Sequence, residues 1–188
     1  MLTRTLVAVN VLVYVWLSLT GGSTDQQSLL DHGAIYGPSV VHGEYWRIFT
    51  GTFLHSGILH IVLNMLALYQ VGLLIEYLLG APRMLAVYFL SALGAGLAVL
   101  RFNFDVPVVG ASGAIFGLFG ALLAIGMRLG PRGRTLVSQA LPIIVINILF
   151  GFSLRNIANS AHIGGLATGF VAGLLLFVMP HVRQIEEA

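Results

Sequence analysis

The chain has 188 residues, 57% of them hydrophobic and 9% charged, a formal net charge of +2 and a mean hydropathy of +0.94. A soluble domain is nearer half apolar and a quarter charged, so the composition excludes an ordinary soluble domain, and the small, dispersed charge excludes a nucleic-acid-binding surface. There is no Cys, which removes disulfides, thiolate metal sites and a cysteine nucleophile.

The apolar runs are long rather than alternating, the pattern of an all-α integral membrane protein. In chain order they predict six spans, at about 5–20, 57–79, 83–101, 112–128, 135–154 and 161–179, within one domain covering 1–188. The first run, Leu6 to Leu19, lacks an Ala-x-Ala cleavage site and reads as a retained span, not a removed signal peptide. The 21–56 connection is the only long one. It mixes Leu29, Ile35, Tyr45 and Trp46 with polar residues, which suits a segment lying in the membrane interface. The other connections carry the helix breakers, such as Gly80-Ala81-Pro82 and Gly130-Pro131-Arg132-Gly133.

Arginine placement sets the expected orientation. With the N-terminus inside, Arg4, Arg83, Arg128, Arg132, Arg134 and Arg183 are cytoplasmic, against Arg47, Arg101 and Arg155 outside. The prediction is therefore a multi-pass membrane protein with both termini in the cytoplasm.

Three polar residues then fall at one depth. Ser112 lies 16 residues before Arg128 and Asn64 lies 16 before Gly80, each ~24 Å at 1.5 Å per residue. His162 lies 18 residues before Pro180, or ~27 Å. All three spans run inward, so in a ~30 Å core these side chains sit a few Å below the outer interface. Small residues encode close packing there. Ala161, Gly165, Gly169 and Gly173 repeat at spacing four, as do Gly113 and Gly117. Such faces let helix backbones approach in lipid, and packing them together would bring the Ser112 hydroxyl to the His162 imidazole.

A serine and a histidine at such depth read as a nucleophile and its general base. Serine also serves as a small packing residue in membrane helices, and a buried histidine can be structural. The joint depth and matched ridges favour the catalytic pair. His55, His60 and Asn64 enter the second span as His-x4-His-x3-Asn, with His60 and Asn64 on one face. They suit hydrogen-bond donors aimed at developing negative charge. A zinc site and interhelical hydrogen bonding are the alternatives, and no Glu stands between as in His-Glu-x-x-His. No Asp or Glu reaches this depth to complete a triad. Glu76, near the inner end of its span, is expected to pair with an Arg or to cap hydrogen bonds. His32, His42 and His181 read as ordinary interfacial residues.

These residues resemble the rhomboid family of intramembrane serine proteases. The matching elements are Gly43-Glu44-Tyr45-Trp46-Arg47, His55, His60 and Asn64, Gly110-Ala111-Ser112-Gly113, and Ala161-His162 followed by Gly165 and Gly169. The resemblance implies a six-transmembrane-helix bundle around a water-filled cavity open to the outside. It implies Ser112 as nucleophile, His162 as general base, and an oxyanion hole from the Ser112 backbone N–H with His60 and Asn64. It implies supporting roles for Gly110, Gly113 and His55, and a structural one for Trp46 and Arg47 in the first loop. The position four after the serine, often Tyr in the family, is Phe116 here. Its ring can still stack on His162, but a hydroxyl is lost. With no extra cytoplasmic domain and no seventh span, the chain resembles the minimal prokaryotic form, placing it in a prokaryotic cell (inner) membrane.

The expected partners are the lipid bilayer and transmembrane protein substrates, unwound near their outer end with a small residue before the cut. No metal or other cofactor is expected. One rival reading is a non-catalytic rhomboid-like protein that binds membrane clients, against which intact Ser112 and His162 argue. Another is a small-solute transporter, for which paired broken-helix repeats are absent.

Overall fold

The computed structural model describes residues 1–20, 22–153 and 158–177. Arg155, Pro180, His181, Arg183 and the last residues of the fifth and sixth expected spans lie outside the described residues. The order of α-helices is α1 (Leu2–Leu19), α2 (Gln26–Asp31), α3 (Gly37–Val41), α4 (Arg47–Thr50), α5 (Ile58–Leu79), α6 (Ala81–Phe102), α7 (Ser112–Arg128), α8 (Arg134–Ser153) and α9 (Asn159–Leu176). Among the described residues, α1, α5, α6 and α9 are long and apolar enough to cross a membrane, and α7 is a shorter apolar helix. This is an all-α integral membrane protein.

The bundle is built around α7. Thirteen of its 17 residues, from Gly113 to Gly126, are buried, as a helix that is apolar all round requires. It packs against α5, α6, α8 and α9. Glycine sets the separation from α9. A methyl group added at Gly165 would lie 1.9 Å from the Gly113 carbonyl oxygen, and one at Gly169 would lie 2.0 Å from that of Gly117. The two small-residue ridges therefore meet backbone to backbone, as their spacing predicts. The outward faces of the long helices carry Leu12, Leu63, Ile146 and Leu175, all exposed, as lipid-facing side chains would be.

Helix α1 begins three residues before its expected start, and Glu76 accounts for this. Its carboxylate accepts hydrogen bonds from the Leu2 N–H (2.7 Å), the Thr3 N–H (2.9 Å) and the Thr3 hydroxyl (2.6 Å). Of the two expected roles for Glu76, the structure takes capping. A carboxylate at a helix N-terminus satisfies orphan N–H groups and complements the helix dipole. Glu76→Ala should cost about 1–2 kcal/mol, the value of charged hydrogen bonds discounted for a half-buried site. Unfolding of the detergent-solubilised protein measures this. Unchanged stability would mean that α1 is held by packing alone.

The long first connection folds into the three short helices α2, α3 and α4. Arg47 is its internal tie. It is buried, donates to the carbonyls of Leu30 (2.6 Å) and Ala34 (3.2 Å), and pairs with Glu44. Its guanidinium also lies 4.9 Å from the centre of the Trp46 ring. An isolated antiparallel bridge, Ile35 with Val108, fastens this connection to the segment leading into α7.

Candidate active site

Ser112 is the first residue of α7. Its position follows from the loop before it. The Val108 N–H donates to the Ile35 carbonyl and the Gly110 N–H to the Gly51 carbonyl, both at 2.9 Å. Gly110 has φ +120°, in the left-handed region that favours glycine. The opening N–H groups of a helix have no intrahelical acceptor, so those at Ser112 and Gly113 point outward with the positive end of the α7 dipole.

His162 stands in the first turn of α9, three residues before Gly165, which sits on Gly113. Its Nε2 lies 2.9 Å from Ser112 Oγ. The other ring nitrogen, Nδ1, is buried without a hydrogen-bond partner, so no carboxylate forms a third member among the described residues. The Phe116 ring, one turn after Ser112, stacks on the imidazole with centroids 4.2 Å apart and planes 3° from parallel. The geometry can pass a proton from hydroxyl to imidazole, with the ring held from one side by an apolar face.

The third cluster comes from the start of α5. His60 accepts the Ser56 N–H on Nδ1 at 3.2 Å. Its Nε2 side lies against Gly110, where an added methyl group would fall 2.7 Å from Nε2. The structure thus brings His60 to the segment that carries Ser112. Asn64 is buried one turn further on, and its Nδ2 donates to the His60 carbonyl at 2.9 Å. That uses one amide hydrogen and leaves the other for a ligand. The His55 ring packs edge-on to His60 at 5.1 Å. Burial, reinforced by the nearby His60, pushes its pKa down to about 3 against a weaker opposing pull from the Phe53 carbonyl, so His55 is neutral. Among the described residues no three His, Cys, Asp or Glu side chains converge as a metal site would need. Trp46 and Arg47 lie in the first connection and hold it together, as described above. The Ser56 N–H, like the backbone bond from Gly110 to Gly51, has no signal in the sequence, because any residue but proline supplies it.

The family model described as Rhomboid domain matches residues 42–179. Rhomboid protease GluP of Bacillus subtilis (strain 168) is 39% identical over 175 residues, 93% of this chain and 34% of its own length. RHOMBOID-like protein 1 of Arabidopsis thaliana is 36% identical over 159 residues, 82% of this chain and 41% of its own. Inactive RHOMBOID-like protein 8 of the same plant is 34% identical over 145 residues, 76% of this chain and 41% of its own. The chain spans less than half the length of each of these relatives.

Proposed function

The chain belongs to the rhomboid family, and on that premise we propose that it is an intramembrane serine endopeptidase that cleaves transmembrane segments near the outer face of the bilayer. The observation that carries this reading is the 2.9 Å approach of Ser112 Oγ to His162 Nε2 on two helices in glycine-to-glycine contact. Ser112 attacks the scissile carbonyl carbon while His162 Nε2 takes its proton. The imidazolium formed has no carboxylate beside it among the described residues, and the face of Phe116 is its support. The carbonyl oxygen, now an anion, receives hydrogen bonds from the Ser112 N–H, His60 and Asn64, each donor typically worth about 3–4 kcal/mol in the transition state. His162 then protonates the leaving amine, and water hydrolyses the acyl-serine. The substrate segment must unwind first, because helical hydrogen bonds shield its carbonyls.

The same reading has six spans with both termini in the cytoplasm. It is supported by α7 and α8 falling on the fourth and fifth expected spans and by the arginine bias. It sets the protein in a prokaryotic cell membrane, where transmembrane proteins are the substrates.

A second reading, a non-catalytic protein that binds membrane clients, draws on the 34% identity to a relative whose name calls it inactive. A fluorophosphonate separates the two. The proposal expects labelling of the detergent-solubilised protein at Ser112 alone, located by mass spectrometry and lost in Ser112→Ala. Absence of labelling in folded protein would favour the client-binding reading.

A further inference from the structure

We propose that the backbone N–H of Ser56 is a positioning group that fixes His60 as its Nε2–H tautomer, making His60 an obligate hydrogen-bond donor toward the segment carrying Ser112. The inference rests on the proposed protease reading for its consequence in turnover, but its structural half stands alone.

A peptide N–H has no lone pair to offer. It only donates, so the nitrogen that receives it must present a lone pair. Ser56 N lies 3.2 Å from His60 Nδ1 with hydrogen-bond geometry. In a neutral imidazole the single proton then resides on Nε2. The edge of the ring that carries Nε2 faces Gly110, since a methyl group there would lie 2.7 Å from Nε2 and 2.8 Å from Cε1. Gly110 stands two residues before Ser112. One contact thus decides the proton's location at the far end of the ring, where a donor is wanted.

The chain is shaped to make that contact. Gly57 is the N-cap of α5 with φ 87° and ψ 165°, a conformation that L side chains rarely adopt. Its own N–H donates to the Ser23 carbonyl at 3.1 Å, which anchors the turn. His60 is the third helical residue, the position from which a side chain reaches back to N–H groups at the helix start. Here it reaches one residue further, to Ser56, and satisfies a donor that the helix leaves free. His55, buried, packs edge-on at 5.1 Å from the His60 ring. A serine side chain plays no part, because the Ser56 residue is exposed and its backbone makes the contact.

The test removes the N–H and keeps the side chain. Ser56→Ala keeps the peptide and should match the unaltered protein. Lactic acid incorporated at position 56 replaces that N–H by an ester oxygen without changing the alanine side chain. Relative to Ser56→Ala, the ester should turn over a reconstituted transmembrane substrate up to about tenfold more slowly, the worth of one neutral hydrogen bond, with KM within about twofold. Nitrogen-15 spectra of histidine-labelled protein read the tautomer directly, with the His60 signals assigned by their loss in His60→Gln. The unaltered protein should show a pyrrole-type Nε2 and an imine-type Nδ1, and the ester a mixture of tautomers. A pyrrole-type Nδ1 in the unaltered protein, or an ester as fast as Ser56→Ala, would overturn the proposal. If no variant cleaves substrate or takes up a fluorophosphonate, the protease reading fails, while the spectra still decide the tautomer.

Discussion

Ser112→Ala and His162→Ala should each abolish cleavage of a transmembrane substrate reconstituted with the protein in vesicles. The hydroxyl and the imidazole face one another at 2.9 Å, and no second hydroxyl or carboxylate is bonded to either among the described residues. Removing a nucleophile or its base typically costs about a million-fold in serine hydrolases, which places residual turnover below detection. The two changes act on one step, so the double variant should be no worse than either single one. Stability separates their controls. Ser112→Ala deletes one oxygen from a half-buried position and should leave thermal unfolding near that of the parent. His162→Ala removes a buried ring stacked on Phe116 and should cost about 1–3 kcal/mol through the cavity it leaves. Folded His162→Ala must therefore be shown before its inactivity is credited to lost chemistry. Turnover within about tenfold of the parent in either folded variant would remove that residue from the mechanism.

How the sequence foreshadows this site differs from residue to residue. Helix α7 starts at Ser112, the expected residue, because Gly110 stops regular structure just before it and the run after it is apolar without interruption. The meeting of α7 and α9 was readable because a spacing of four places Gly113 and Gly117 on one face and Gly165 and Gly169 on another. The stacking of Phe116 on His162 was implied by the family resemblance, in which an aromatic ring stands four residues after the serine. What lay beyond reach depends on partners distant in the chain. The early start of α1 requires Glu76, 73 residues after Thr3. The folding of the first connection into α2, α3 and α4 requires Arg47 to find the carbonyls of Leu30 and Ala34. The approach of His60 to Gly110 joins two loops fastened separately, by Ser23 with Gly57 and by Gly51 with Gly110. Neither fastening uses a side chain, so composition and periodicity carry no trace of them. Asn64 shares its helix face with His60 as expected, but its bond to the His60 carbonyl halves the donors it can offer.

Gly165→Ala should cost both turnover and stability, and Gly173→Ala stability with little loss of turnover. At Gly165 the added methyl carbon would sit 1.9 Å from the Gly113 carbonyl oxygen and 2.7 Å from the carbonyl carbon. These are backbone atoms, which no rotamer change can move aside. Restoring even a tight contact of about 3 Å requires the two helices to part by about 1 Å. The separation falls at the site, because Gly113 follows Ser112 directly and Gly165 is less than one turn from His162. A Ser112–His162 distance that starts at 2.9 Å would then exceed hydrogen-bond reach. Misplacing reacting groups by about 1 Å can cost about 100-fold in rate, whereas overpacking typically costs about 1–3 kcal/mol in stability. At Gly173 the methyl group would meet Ala121, 2.6 Å from its Cα, a milder clash placed 11 residues beyond His162. Packing strain there weakens the bundle but leaves the N-terminal ends of α7 and α9 together. The measurement pairs unfolding with steady-state kinetics on both variants and on lipid-facing Leu175→Ile as a neutral reference. Folded Gly165→Ala with turnover within about threefold of the parent would show that the glycine contact sets stability alone. It would also mean that the approach of hydroxyl and imidazole does not depend on how closely α7 and α9 pack.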